Sequence, residues 1–291
     1  MGCNWDKRAF GATGLEVSAL GLGSSYGLSA DDVERAYDRG VNLMFWGARR
    51  RDDFGRGIAR IAGKDREGMV LAVQSYTRVA SLMRPSLECA LRSLGTDYVD
   101  MLCLAWWDEV PPERILDAAL QLKDEGKVRH VLISCHHRPS FAKMLEVPGL
   151  EAIMLRYNAA HPGAEDDVFA LPAFRSRDPG VLAFTATRWG SLINPKLVPP
   201  GEPTPRASDC YRFALSNPHV HATLAGPKNG QELDEAMAAL DRGPLSDDEM
   251  AWMRRVGQAV RGDAKAHRAI GTLDRMRSAV FGAPSSTTLS P

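Results

Sequence analysis

The stretch Leu91–Asp108, LRSLGTDYVDMLCLAWWD, decides how this chain is read. A helical pattern ends at Leu94, Gly95 stops it, and Tyr98–Leu104 is an apolar run. Glycine takes the left-handed conformation without a Cβ penalty, so it marks a helix C-terminus. A short apolar run between turn signals suits a strand covered on both faces, as in parallel sheets. Such a strand delivers Ala105, Trp106, Trp107 and Asp108 to its C-terminal end, where barrel enzymes keep their chemistry.

Outward from this stretch, apolar β-branched runs alternate with helical patterns. Strands are expected near Leu20–Gly23, Asn42–Phe45, Val70–Gln74, Tyr98–Leu104, Val128–Ser134, Ala152–Tyr157, Val181–Ala186 and Val220–Ala225. Helices are expected over Asp31–Arg39, Asp53–Ile61, Pro85–Leu94, Glu113–Glu125, Pro139–Leu145, Asp166–Phe174, Ser208–Leu215 and Gln231–Leu240. Ser29 can cap the first helix, and Gly126 closes the fourth. Lys7–Leu20 reads as a hairpin turning at Gly11–Gly14, and Leu245–Gly262 as an added helix capped by Ser246. Strand–helix alternation with no composition break predicts an α/β fold of one (β/α)8 TIM-barrel domain over residues 1–282. The small polar residues 283–291 are expected to be a disordered tail.

Apolar content of 44% and charged content of 25% are ordinary for a soluble globular chain. Lysine plus arginine (36) balances aspartate plus glutamate (36), so no global field recruits nucleic acid or an anionic membrane. No apolar run is long enough to span a bilayer, and Met1–Lys7 has no apolar core, so it is not a signal peptide. The five cysteines are odd in number and contain no CxxC pair, which indicates neither a disulfide framework nor a zinc knuckle. Reduced thiols in a cytoplasmic protein are the expectation, with no metal.

Up to Leu104 the opening stretch resembles the fourth barrel strand of the aldo-keto reductase family, LxxLGxDYxDLYLLHWP, and residues 7 to about 262 follow that family's order of elements. The resemblance implies a hairpin plugging the barrel and carbonyl reduction with a nicotinamide cofactor, NADP(H). It also implies an aspartate, tyrosine, lysine and histidine tetrad. Those four positions fall on Phe45, Arg50, Gln74 and Ala105, where phenylalanine, glutamine and alanine do not titrate and arginine stays charged. The family's cofactor positions fall on Ser134, Phe184 and Thr185, with Met154 in place of a glutamine. Leu224–Ala236 (LAGPKNGQELDEA) matches its phosphate and adenine grip through Gly226, Lys228, Asn229, Gln231 and Glu235. A lysine beside the N–H groups of a helix start suits a phosphate, and Lys228 leans towards a 2′-phosphate.

Side chains at the C-terminal strand ends converge on one mouth. The sequence offers Trp46, Tyr76, Arg78, Trp106, Trp107, His136, Arg156, Asn158, His161, Arg188 and Trp189 there. Aromatic walls with arginines suit a planar or anionic small molecule, with Trp46, Arg50, Trp106, Trp107, Asn158 and Trp189 contacting it. His136, His161, Arg188 and Tyr76 are the candidates for handling charge and protons. The bland counterparts are tryptophans that cap the core, and arginines paired with Glu165, Asp108 or Asp166. Three functions fit: a divergent NADP(H)-binding oxidoreductase, a non-redox enzyme without nicotinamide, and a catalytically silent sensor or scaffold. The grip at Gly226–Glu235 and the polar mouth together favour the first.

Overall fold

A computed structural model describes residues 7–47 and 50–262. Strands β1 (Arg8–Ala9) and β2 (Glu16–Val17) form an antiparallel hairpin, paired Arg8 to Val17. Eight parallel strands follow: β3 (Leu20–Gly23), β4 (Leu43–Trp46), β5 (Val70–Ser75), β6 (Val99–Leu104), β7 (Val128–Cys135), β8 (Leu150–Arg156), β9 (Gly180–Phe184) and β10 (Ala222–Ala225). They close a barrel in sequence order, β10 pairing with β3 at Thr223 and Leu20. The helices are α1 (Ala30–Asp38), α2 (Asp52–Asp65), α3 (Met83–Leu94), α4 (Glu113–Asp124), α5 (Phe141–Met144), α6 (Ala164–Asp167), α7 (Pro172–Arg177), α8 (Ala207–Leu215) and α9 (Gly230–Arg242). A further helix, α10, runs over 247–262.

The local signals act as read. Ser29 Oγ accepts from the Asp32 N–H at the start of α1, and Ser246 Oγ accepts from the Glu249 N–H at the start of α10. Gly95 ends α3 with φ of 64°. One expected helix, Asp166–Phe174, is two short ones instead. Pro172 cannot donate to a preceding turn and holds Leu171 extended at ψ of 135°, so the chain breaks there and restarts as α7. Pro139–Leu145 likewise opens as a 3₁₀ turn, Arg138–Ser140, before α5.

Two apolar layers hold the barrel. The interior is filled by Leu43, Phe45, Ala72, Met101, Cys103, Leu132, Met154 and Leu182, with Phe10 of the hairpin closing its N-terminal end. Phe10 is fully buried, and a Cβ on Gly180 would lie 2.3 Å from its ring, so that strand position accepts only glycine. The outer layer joins strands to helices and includes Trp46, Phe54, Leu71, Leu102, Ile133 and Leu155. Within Leu91–Asp108, Asp100 is 1% exposed and both of its carboxylate oxygens accept hydrogen bonds. It accepts from the Leu71 N–H at 2.9 Å, Arg66 Nη2 at 2.9 Å and Arg129 Nη1 at 3.0 Å. No helix among the described residues is long and apolar enough to cross a membrane.

Candidate active site

Parallel strands all point their C-termini at one rim, so the turns after β5, β6, β7, β8 and β9 meet there. Arg78, Trp106, Asp108, His136, Arg156 and Trp189 line a cavity of about 400 Å³ at that rim. The backbone around it is strained. Of the non-glycine residues with positive φ, Trp106 (56°), Thr185 (58°), Arg188 (52°) and Trp189 (51°) belong to these turns. Bulky residues in that region cost about 1–3 kcal/mol each and persist where surrounding contacts dictate the shape.

Those contacts are visible. Arg78 ties two turns together, donating to Ala105 O at 3.0 Å and Trp106 O at 2.6 Å while its guanidinium lies 3.9 Å over the Trp107 ring. Asp108 accepts from the His136 and His137 N–H groups, each at 3.2 Å, and so shapes the turn after β7. Arg188 is 8% exposed and donates to Val260 O at 2.8 Å, pinning the turn after β9 to α10.

His136 stands at the centre. Its ring packs edge-on against Trp106 at 5.5 Å and against Phe184 at 5.3 Å. Nε2 meets the Trp106 indole Nε1, and Nδ1 lies 3.1 Å from Arg156 Nη2. Burial, and then the Arg156 charge, hold its pKa below the ordinary imidazole value, so the ring is biased to the neutral form. Tyr76 flanks Trp106 edge-on at 6.0 Å, and burial pushes its phenol pKa up, which keeps the proton on it.

His161 lies behind this group. Asn158 is fully buried, donates to Thr185 O at 2.8 Å, and offers Oδ1 to the Ala160 N–H at 3.0 Å and His161 Nδ1 at 3.3 Å. Burial pushes His161 down to about 4, helped by the charges of Arg156, Arg188, Arg261 and Arg138. As pH falls, the unfolded chain takes up this proton near the ordinary 6.5 while the native chain resists until about 4. Stability is therefore full above that window, declines through it, and levels off below it. Thermal melts of wild type and His161→Gln across this range test the point. The variant should lose less stability on acidification, and parallel losses would remove His161 as a cause.

The structure places several expected site residues away from the cavity. Trp46 is 5% exposed and stacks on Phe54 at 6.5 Å, in the layer between β4 and α2. Strand alternation gives the barrel interior to Phe45 and turns Trp46 outward. Trp107 is half-buried beneath Arg78, and Asn158 is spent on its own turn and on Thr185 O in the turn after β9. Glu165, a candidate partner for the mouth arginines, instead pairs with Arg254 at 2.9 Å. Among the four positions carrying the expected tetrad, Phe45 is interior packing and Arg50 donates to Gln74 O at 3.0 Å. Ala105 is fully buried. Arg78, Asp108 and Arg156 carry more of the site than their sequence context suggests. The contacts that tie them into the rim include backbone and rings about 20 to 30 residues away, which no local spacing signals.

At the nucleotide end, Ser134 Oγ accepts from the Trp106 N–H at 3.3 Å, and Thr185 Oγ1 donates to Phe184 O at 2.7 Å. Gly226 lies under the Tyr26 ring, where a Cβ would come within 2.2 Å of it. Asn229 caps α9 by accepting from the Glu232 N–H, and Glu235 holds Ser208 Oγ at 2.7 Å. Lys228 and Gln231 are exposed. Among the described residues, no group of three or more His, Cys, Asp or Glu side chains could hold a metal ion.

Comparison with known proteins agrees with this architecture. The model of the aldo/keto reductase family matches residues 52–192. L-galactose dehydrogenase of Arabidopsis thaliana is 26% identical over 81% of this chain and 88% of its own length. The holo form of an aldo-keto reductase from Bacillus halodurans superposes with a TM-score of 0.74 at 19% identity, over 87% of this chain and 96% of that one. D-galacturonate reductase of Hypocrea jecorina is 31% identical over 45% of this chain and 44% of its own length.

Proposed function

We propose that this chain is an aldo-keto-reductase-like oxidoreductase that takes NADP(H) and a small molecule at the mouth, using residues other than the family's tetrad. The observation that carries the reading is the strained cavity itself. His136, Arg156 and Trp106 meet at the rim, beside Phe184, one of the positions that match the family's cofactor site. A barrel kept for shape alone has no use for backbone strain concentrated there.

The residues present fit the nucleotide better at one end than at the other. Exposed Lys228 and Gln231 beside the capped start of α9 suit phosphate and adenine. At the carboxamide end Ser134 Oγ and the Asn158 amide are already committed, and Met154 packs in the barrel interior. When bound, the nicotinamide would supply or accept hydride. The chain's own residues supply the rest. Neutral His136 is a hydrogen-bond donor on the cavity wall, Tyr76, held protonated, flanks Trp106 next to it, and Arg156 steadies negative charge that develops on oxygen.

Titrating the protein with NADPH and NADH while following tryptophan fluorescence tests this reading. Saturable quenching is expected, with Lys228→Ala weakening NADPH roughly tenfold and NADH little, the loss of one charge-assisted contact to a phosphate. Absence of binding by calorimetry at millimolar cofactor would sink it. One observation favours a second reading, a non-redox enzyme that has given up the nicotinamide: the commitment of Ser134 and Asn158 to the turns around them. That outcome of the titration would leave it standing.

A further inference from the structure

We infer that the mouth is an oxyanion receptor: it takes a carboxylate or phosphate-like oxygen carried on a flat body, received between the Trp106 indole N–H, His136 Nε2–H and Arg156. This rests on the mouth being the substrate site and names the substrate's chemical class.

Donors outnumber acceptors around His136. Indole Nε1 and guanidinium nitrogens donate and cannot accept. A neutral imidazole has one N–H and one lone pair. Both ring nitrogens of His136 nevertheless face donors: Nε2 meets Trp106 Nε1 and Nδ1 meets Arg156 Nη2. Whichever tautomer forms, one N–H points at another N–H, and a protonated ring is worse. The conflict is smallest when Nδ1 accepts from Arg156, whose charge favours an accepting neighbour. Then His136 Nε2–H and Trp106 Nε1–H are aimed at the same space, and an oxygen between them accepts from both.

Among the described residues lining the cavity, the one carboxylate does not take that place. Asp108, the carboxylate on the cavity wall, turns Oδ1 to the His136 and His137 N–H groups. The contact that must open belongs to a side chain with room to turn, because Trp106 is 60% exposed. Opposite it, Trp189 is 65% exposed with the Arg156 guanidinium 5.3 Å from its ring. The Trp189 face lies against Arg156 and the exposed Trp106 indole borders the same space edge-on to His136, so the body bearing the oxyanion is planar and apolar. A cavity of about 400 Å³ holds a one- or two-ring molecule.

Calorimetry of the full chain with benzoate, benzyl alcohol and inorganic phosphate, in the absence of nucleotide, tests the assignment. Benzoate should bind saturably, benzyl alcohol much more weakly because it lacks the oxyanion, and phosphate more weakly because it lacks the ring. Arg156→Met and Trp106→Phe should each weaken benzoate roughly ten- to a hundredfold, the loss of one charge-assisted or desolvated hydrogen bond. If Arg156→Met does not fold, Trp106→Phe at its exposed position carries the test alone. Equal affinity for benzyl alcohol and benzoate, no benzoate binding, or unchanged affinity in a folded Trp106→Phe protein would each overturn the assignment. Benzoate binding with no NADPH binding would keep the receptor and remove the oxidoreductase. NADPH binding with no benzoate binding would do the reverse.

Discussion

Arg212→Ala should lower stability by about 3–5 kcal/mol, the cost of stripping one partner from a buried ion pair. Arg212 is 4% exposed on α8. Its guanidinium donates to Gly243 O at 2.7 Å, Pro244 O at 2.9 Å and both Glu249 oxygens at 2.8 Å. One side chain thus joins α8, the turn after α9 and the first turns of α10. Removing it leaves two backbone carbonyls without their donor and Asp209, itself 4% exposed, with Arg242 at 2.7 Å and the Arg206 N–H at 2.8 Å as its remaining partners. For a chain of this size the expected fall in melting temperature is roughly 10 °C. Arg212→Lys should be intermediate, because it restores the charge without the fork.

The same pair sets an acid shoulder. The Arg212 hydrogen bonds hold the Glu249 carboxyl at about 2, well under its ordinary 4.5. The native protein therefore keeps Glu249 ionised while the unfolded chain protonates it. Its contribution is complete above 4.5 and is lost as pH falls towards 2. In Arg212→Ala that decline should flatten. A melting temperature within about 2 °C of wild type would show that α10 is held by apolar packing instead. The consequence reaches the mouth, since α10 carries Val260 O, the acceptor for Arg188. A loosened α10 should also mobilise Trp189.

Asp100→Ala should cost about 3 kcal/mol or more, measured as a shift in denaturant midpoint at unchanged slope. The substitution leaves the Leu71 N–H and Arg66, its side chain 13% exposed, without their carboxylate. Arg66 keeps Met69 O, Tyr98 O and the Tyr98 ring at 3.8 Å, and this limits the loss. Asp100→Asn separates shape from charge. Its amide nitrogen would face either Arg66 or Arg129, so it should recover less than half of the difference. An isostere as stable as wild type would mean that the aspartate serves only to cap the Leu71 N–H.

The barrel and the hairpin were legible because their signals are local. Gly95 needs nothing beyond the helix it ends, and Ser29 and Ser246 find their acceptor roles three residues on. The apolar run ending at Leu104 is buried on both faces whatever its neighbours are. The break at Pro172 was available to the same reasoning, since proline's missing N–H is a local fact.

The site was legible as a set of residues at a rim and illegible as a mechanism. Phe45 and Trp46 are adjacent letters, and which one enters the barrel depends on strand parity relative to an axis that exists only when β10 closes on β3. Glu235, read as part of a nucleotide grip, is drawn to Ser208 because α8 packs on α9. What the sequence by itself determined was the order of strands and helices and the collection of arginines and tryptophans at their C-terminal ends. These follow from periodicity, caps and turn residues, each satisfied within a few positions along the chain. Only the tertiary structure decided that His136 stands between two donors, Trp106 and Arg156, 30 and 20 residues away. A hydrogen bond between distant residues depends on directions in space, and the closed barrel is what fixes them.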